Sequence, residues 1–135
     1  KFIKKREGVA KNYIKNFKDF KDYILVKKIN KEKTISAWHL FIVLVNFRKL
    51  KIKKDKLLKY LKFKKIIAQF HYIPIYKFKN LLKKYKHKFN IEDFPNCEYY
   101  FKNSFSLPIF VNLSLNNQKY IIKTIKSYIL KNVKR

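Results

Sequence analysis

IIAQFHYIPIY, residues Ile66 to Tyr76, joins a strand-like segment to a loop with aromatic and polar side chains. The β-branched and aromatic residues up to Tyr72 predict a short buried strand, and Pro74 ends it because proline cannot donate to a sheet ladder. His71, Tyr72 and Tyr76 then lie at a strand end, a frequent place for ligand contacts in α/β proteins. Aromatic residues there are more often packing residues, so a ligand role and a packing role both stay open.

The segments around that stretch alternate between helical and strand-like patterns. Apolar residues recur every three or four positions from Phe2 to Phe20, which predicts an amphipathic helix of about five turns. Ser36 to Val45 ends in a continuous apolar run and predicts a strand covered on both faces. Further elements are expected as a strand at Tyr23–Val26, a helix at Lys54–Lys62, a helix at Phe78–Tyr85, a charged link at Lys86–Glu92, a helix starting near Asp93, an extended segment near Phe105 and a last helix capped by Ser114.

This element order predicts an α/β fold in one domain over residues 1–135. We expect a small sheet built from the Ser36 strand, the Ile66 strand and the Phe105 segment, covered by the first and last helices. The chain opens on Lys1 in a helical pattern and contains no Met, so we expect it to be part of a longer protein.

Three local features carry their own expectations. Gly8, the only glycine, lies inside the first helix and suggests a close packing contact. Asp93 is a candidate helix cap. Cys97 lies on the expected inner face of the following helix, so we interpret it as a small core residue.

The formal charge of +27 raises the possibility of nucleic-acid binding. Only Arg6, Arg48 and Arg135 are arginines among 35 basic residues, whereas phosphate and base recognition favours arginine. The lysines are spread along the chain, and the excess of Lys, Asn, Ile, Phe and Tyr is typical of an A+T-rich genome. Solvated helix faces therefore explain the charge better, and a small lysine-rich RNA- or anion-binding protein is the rival hypothesis.

The sequence offers no catalytic set. Its eight carboxylates form no evident acid–base pair, and His39, His71 and His87 are too far apart in sequence to indicate a metal site. One cysteine excludes an internal disulfide, and one glycine excludes a glycine-rich phosphate loop. The longest apolar run is far short of a membrane span, so we expect a cytoplasmic protein that contacts no membrane.

Five motifs occur in the order and spacing of one protein family. They are FIKKRE (2–7), SAWHLF (36–41), FHYIPIY (70–76), DFPNCEYY (93–100) and SLPIF (106–110). Together they resemble the C-terminal small domain of the DegT/DnrJ/EryC1/StrS sugar aminotransferases, which are pyridoxal-phosphate (PLP) enzymes of fold type I. The likeness is greatest to the branch that aminates a UDP-4-keto-6-deoxy-N-acetylhexosamine with glutamate in pseudaminic acid synthesis.

The resemblance implies that the site lies between this domain and a PLP-binding large domain, at a homodimer interface. The large domain, with its Schiff-base lysine and phosphate-holding residues, is absent from this sequence. We therefore expect no cofactor, catalytic residue or metal in this chain alone, and no activity without the partner domain.

The resemblance also assigns a binding role. It implies that His71, Tyr72, Ile73 and Pro74 form an edge of the nucleotide-sugar pocket. Trp38 and His39 would lie near the domain interface, where packing is the simpler role.

The sequence departs from the family at one turn. The family usually has a glycine between the helix and the next strand, where this chain has Lys62-Phe63-Lys64-Lys65. A left-handed turn without glycine is strained, so we expect either that the turn is rebuilt or that the sequence has drifted from the family here.

Overall fold

The computed structural model describes residues 1–26, 34–85 and 90–133. Its helices and strands are α1 (Phe2–Phe17), β1 (Ile24–Val26), β2 (Phe41–Val45), α2 (Phe47–Leu50), α3 (Lys54–Phe63), α4 (Lys79–Tyr85), α5 (Pro95–Asn103), β3 (Ser104–Leu107) and α6 (Leu115–Val133). Short 3₁₀ turns occupy Lys18–Phe20, Ile75–Lys77 and Ile91–Asp93. His87 and most of the Lys86–Glu92 link lie outside the described residues.

The sheet has three antiparallel strands in the order β1-β2-β3. β2 is central, with Val43 opposite Val26 on one side and opposite Phe105 on the other. Phe41, Val43 and Val45 are buried, while the alternate residues of β2 are half-buried. This alternation makes one face of the sheet the floor of the core.

Helices α1 and α6 pack against each other over that floor. The Tyr13 side chain is fully buried, its ring lies 4.9 Å from the Phe41 ring, and its hydroxyl donates to the Pro108 carbonyl oxygen at 2.9 Å. Asn12 Nδ2 donates to Gln118 Oε1 at 2.7 Å, which joins α1 to α6. The first and last helices thus cover the sheet, as the sequence predicts.

Most of the remaining elements confirm the sequence-based expectations. The short strand after α1, the helix beginning at Lys54 and the extended segment at Phe105 are all present. The Ser114 Oγ accepts from the Asn117 N–H at 3.2 Å, so the predicted cap of α6 is confirmed.

The predicted strand from Ile66 to Tyr72 is wrong. Only Gln69 pairs with the sheet, through an isolated bridge to Ser106 on the outer edge of β3, and the second edge strand is β1 instead. The Ile66 N–H bonds back to the Leu61 carbonyl oxygen at the end of α3, which holds the start of this segment away from the ladder. The outer edge of β3 is open to this segment, but only Gln69 reaches it, so the strand propensity of Ile66 to Tyr72 is not realised as a ladder.

The strand predicted from Ser36 is too long. Strand geometry begins at Phe41, because Trp38 adopts a φ of 49° that breaks an extended chain. Trp38 is half-buried and its ring lies 5.9 Å from that of Phe41, so packing is confirmed as a role for this side chain.

Three local expectations also fail. A Cβ added at Gly8 would meet nothing within 4 Å, so this glycine marks no close contact. Phe94, not Asp93, occupies the N-cap position of α5, with Pro95 in the first turn. Cys97 is exposed and Glu98 is buried, so the inner face of α5 is rotated from the one expected.

The turn after α3 contains a lysine in the left-handed conformation. Lys65 has a φ of 57°, a region that glycine adopts more readily than lysine. Its N–H bonds to the Lys62 carbonyl oxygen at 2.9 Å and closes the turn. A left-handed turn is therefore formed here without glycine.

We predict that Gly8→Ala raises the free energy of unfolding by about 0.5–1 kcal/mol, since it removes a flexible residue from a helix at an unobstructed position. Urea denaturation measures the change, with the helix-surface substitution Lys15→Ala as a near-neutral control. A loss of stability in Gly8→Ala would contradict the open space around this residue.

We also predict that Lys65→Gly stabilises the chain by about 0.5–1 kcal/mol, because it relieves the left-handed strain. Its neighbour Lys64 has a φ of −79°, so Lys64→Gly should destabilise the chain under the same denaturation assay. Equal effects of the two substitutions would show that the conformation of Lys65 carries no strain.

Candidate functional site

The loop 71–74, called here the His71 loop, is attached to β3 at its start. The Gln69 N–H donates to the Ser106 carbonyl oxygen at 3.2 Å, and the Ser106 N–H donates to the Gln69 carbonyl oxygen at 2.6 Å. His71 Nε2 lies 2.8 Å from Ser106 Oγ. A backbone bridge and a side-chain hydrogen bond therefore fix the first residue of the loop to the sheet.

The hydrogen bonds of Ser106 indicate the tautomer of His71. Ser106 Oγ donates to the Gln69 carbonyl oxygen at 3.3 Å, which leaves it able to accept from the Nε2–H of His71. In the neutral imidazole, Nδ1 then carries the lone pair, and this atom is buried with no hydrogen-bond partner among the described residues. Such unpaired buried acceptors are uncommon in folded proteins.

The middle of the loop faces solvent. Tyr72 is 77% exposed and Ile73 is 48% exposed, and the Tyr72 ring meets the His71 ring edge-on at 5.1 Å. Pro74 is buried and precedes the 3₁₀ turn Ile75–Lys77. Of the four predicted site residues, two are therefore available at the surface and two hold the loop in place.

The far end of the loop is attached to α5 through Glu98. This carboxylate is only 6% exposed, and it accepts from the Tyr76 hydroxyl at 2.9 Å and pairs with Lys77 at 2.6 Å and Lys102 at 3.3 Å. The Tyr76 ring stacks on Phe94 at 4.6 Å. A buried charge with several donors is the arrangement that offsets the cost of its burial.

The donors around Glu98 stabilise its ionised form. The hydrogen bond from Lys77 does most to lower the pKa of the carboxyl below its usual value, burial opposes it, and the bonds from Tyr76 and Lys102 add to the lowering. Burial raises the pKa of Tyr76, and its contacts with Cys97 and Glu98 raise it further. Glu98 is thus an anion and Tyr76 a neutral donor at neutral pH.

Phe101 on α5 supports the same region. The ammonium groups of Lys54 and Lys77 lie 5.4 and 4.9 Å from the centre of its ring. Lys54 Nζ also donates to the Phe101 carbonyl oxygen at 2.7 Å and lies 5.5 Å from the Phe70 ring, next to His71 in sequence. Burial lowers the pKa of Lys54.

A groove of about 790 Å³ has Gln69 and Ser106, the two residues of the bridge, in its lining. Its lining includes His39, Lys65, Leu107, Phe110, Asn117 and Tyr120. The lining contains none of the four residues of the His71 loop. The structure therefore brings His39 to a groove, and it keeps the predicted loop outside that groove.

Two residues of this region have no signal in the sequence that marks them as part of a site. Glu98 is one of eight carboxylates, and Ser106 is part of the SLPIF motif. The spacing of Glu98 and Lys102, four residues apart on a helix, is a signal for an ion pair but not for burial.

Neither a membrane span nor a metal cluster is found in the part of the chain that the structure describes. No helix within residues 1–26, 34–85 and 90–133 is both long and apolar enough to cross a bilayer. The same residues contain no group of three or more His, Cys, Asp or Glu side chains that could hold a metal ion.

Sugar aminotransferases resemble this chain in sequence. Over 130 residues it is 31% identical to the UDP-4-amino-4,6-dideoxy-N-acetyl-beta-L-altrosamine transaminase of Helicobacter pylori, and the match covers 93% of this chain and 33% of that protein. The chain thus spans about a third of the length of the curated relatives it matches.

Solved structures share the fold. PseC of Helicobacter pylori, an aminotransferase involved in the biosynthesis of pseudoaminic acid, is 26% identical with a TM-score of 0.77, covering 98% of this chain and 33% of that one. The sugar aminotransferase Spr1654 of Streptococcus pneumoniae, in its PLP form, is 22% identical with a TM-score of 0.81, covering 97% and 32%.

The motifs, the fold and these similarities agree with a sequence profile that matches nearly the whole chain. The profile describes the DegT/DnrJ/EryC1/StrS aminotransferase family, and it matches residues 1–126. This chain therefore belongs to the DegT/DnrJ/EryC1/StrS aminotransferase family.

Proposed function

We propose that the chain is the C-terminal small domain of a PLP-dependent sugar-nucleotide aminotransferase. In this proposal the enzyme aminates a UDP-4-keto-6-deoxy-N-acetylhexosamine with glutamate as the amino donor. The His71 loop forms an edge of the sugar-nucleotide pocket, and the chain is inactive without a large domain.

The arrangement of the His71 loop supports this role. Tyr72 and Ile73 are exposed, yet the chain on either side of them is attached to β3 and α5. Exposed apolar and aromatic side chains on an anchored loop can contact a ligand at little cost in conformational entropy.

The described residues do not fit PLP by themselves. Family members bind PLP in the intact enzyme, as the PLP form of Spr1654 illustrates. Lys54 has a lowered pKa, but its ammonium is bound to the Phe101 carbonyl oxygen between two aromatic rings. The single glycine of the chain lies within α1, so no glycine-rich loop can hold a phosphate here.

A large domain is the natural partner in this proposal. Relatives are about three times as long as the matched region, which leaves room for a separate cofactor domain. The groove beside β3 carries the exposed apolar side chains of Ile67, Phe110 and Tyr120, which are suited to burial against another domain. We also propose a homodimer in the cytoplasm, with no nucleic acid or membrane as partner.

The rival RNA-binding hypothesis gains no support from the comparisons. The matched family consists of aminotransferases, and the basic charge is shared among many exposed helix positions. The high lysine content is therefore better explained by the coding bias of an A+T-rich genome than by a nucleic-acid partner.

A chimera tests the proposal. The matching third of the Helicobacter pylori transaminase is replaced by this chain, and glutamate-dependent amination of the UDP-4-keto sugar is followed with PLP. We expect activity, and we expect Tyr72→Ala to raise the KM for the sugar on the order of tenfold by removing a contact residue.

Tyr99→Ala is the matched control, since Tyr99 is also an exposed tyrosine but lies on α5 outside the loop. It should leave KM unchanged. Equal KM values for wild type, Tyr72→Ala and Tyr99→Ala would show that the His71 loop does not contact the sugar. A chimera that folds but is inactive would contradict the proposed function.

A further inference from the structure

The two attachments of the His71 loop come from one continuous piece of chain. Ser106 on β3 holds the start of the loop, and Glu98 on α5 holds the turn that follows it. Because β3 begins directly after α5, the distance between the two attachment points is set by a single helix–strand unit. The loop therefore spans a fixed gap.

The attachment at Glu98 is the one that requires a charge. Its carboxylate is buried and receives Tyr76 and Lys77 from the 3₁₀ turn, together with Lys102 from its own helix. Charge-assisted hydrogen bonds are shorter and stronger than neutral ones, and they hold their partners in a narrower range of directions. The Ser106 attachment, in contrast, consists of hydrogen bonds of the backbone and of neutral groups.

Aromatic stacking adds direction to this attachment. Tyr76 stacks on Phe94 with an interplanar angle of 11°, and Lys77 lies over the Phe101 ring on the same helix. Both consecutive residues of the turn are thus held by a ring and by Glu98. The turn cannot rotate without breaking several contacts at once.

We propose that Glu98 is a positioning residue, whose buried carboxylate holds the Ile75–Lys77 turn on α5 and so fixes how Tyr72 and Ile73 face a bound nucleotide sugar. This inference rests on the proposed function for its ligand. The holding of the turn itself is independent of any ligand and can be measured on the chain alone.

Glu98→Gln tests the attachment, since it keeps the size of the side chain and removes its charge. We expect amide hydrogen exchange at Lys77 and Phe78, whose N–H groups close the turn, to speed up on the order of tenfold. The amides of Gln69 and Ser106 should change less than about twofold, because their bridge does not use Glu98. Lys77→Gln, which removes the partner instead, should give the same selective change.

Asp22→Asn is the control, since it neutralises an exposed carboxylate that pairs with Lys49 at 3.5 Å. It should leave all four amides unchanged. If the exchange rates of all four amides rose equally in Glu98→Gln, the substitution would destabilise the whole chain. If none of them rose, the charge of Glu98 would not hold the turn. Either result overturns the proposal.

The pH dependence offers a second readout. The groups facing Glu98 are Tyr76 and Lys77 from the turn and Lys102 from α5, and Cys97 contacts Tyr76. The pKa of Glu98 is lowered in the folded chain. Its charge therefore holds the turn at every pH above the usual pKa of a glutamate, and the turn is released as the pH falls through the lowered pKa. The difference between wild type and Glu98→Gln should therefore vanish in acid, and a difference that persisted there would contradict a role for the charge.

The chimera separates this inference from the proposed function. If Glu98 positions the loop, Glu98→Gln should raise the KM for the nucleotide sugar severalfold with little change in kcat. An unchanged KM, beside a raised KM in Tyr72→Ala, would overturn the positioning role and leave the proposed function intact. If Tyr72→Ala has no effect either, the proposed site fails while the exchange result still decides whether Glu98 holds the turn.

Discussion

The pairing of β2 between β1 and β3 is the constraint on which the rest of the structure depends. It directs Phe41, Val43 and Val45 to one face, and the buried Tyr13 of α1 packs on Phe41 there. Without this alternation the apolar side chains of β2 would face solvent, and α1 and α6 would have no apolar surface to pack against. β3 is placed by the same pairing, so its outer edge, where Gln69 binds, is determined by the core.

The proposed binding loop lies at the outer edge of β3. β3 and the helix before it form one unit, and both ends of the His71 loop attach to it, through Ser106 and through Glu98. The first attachment follows from the fold, since it extends the sheet by one bridge. The second needs a buried carboxylate with three donors, an arrangement that adds little net stability compared with apolar contacts of the same size. A role in directing Tyr72 and Ile73 is consistent with that.

The sequence predicted the parts whose signals are local. The period of α1, the leucines of α3 and the cap at Ser114 depend on neighbouring residues, and these elements are present. The Ile66 strand failed because the chain turns back on α3 at Ile66 and meets the edge of β3 only at Gln69, which no local pattern records. The burial of Glu98 was missed for a similar reason, since Tyr76 and Lys77 approach it from more than 20 positions away in the chain.

The backbone order of the His71 loop is the most direct test of this account. NMR relaxation on the isolated chain gives order parameters for the Tyr72 and Ile73 amides. The two attachments predict order parameters of about 0.85, the value of a rigid backbone, although both side chains are exposed. Values below about 0.6 would describe a flexible loop and would contradict the claim that α5 and β3 hold it in one direction.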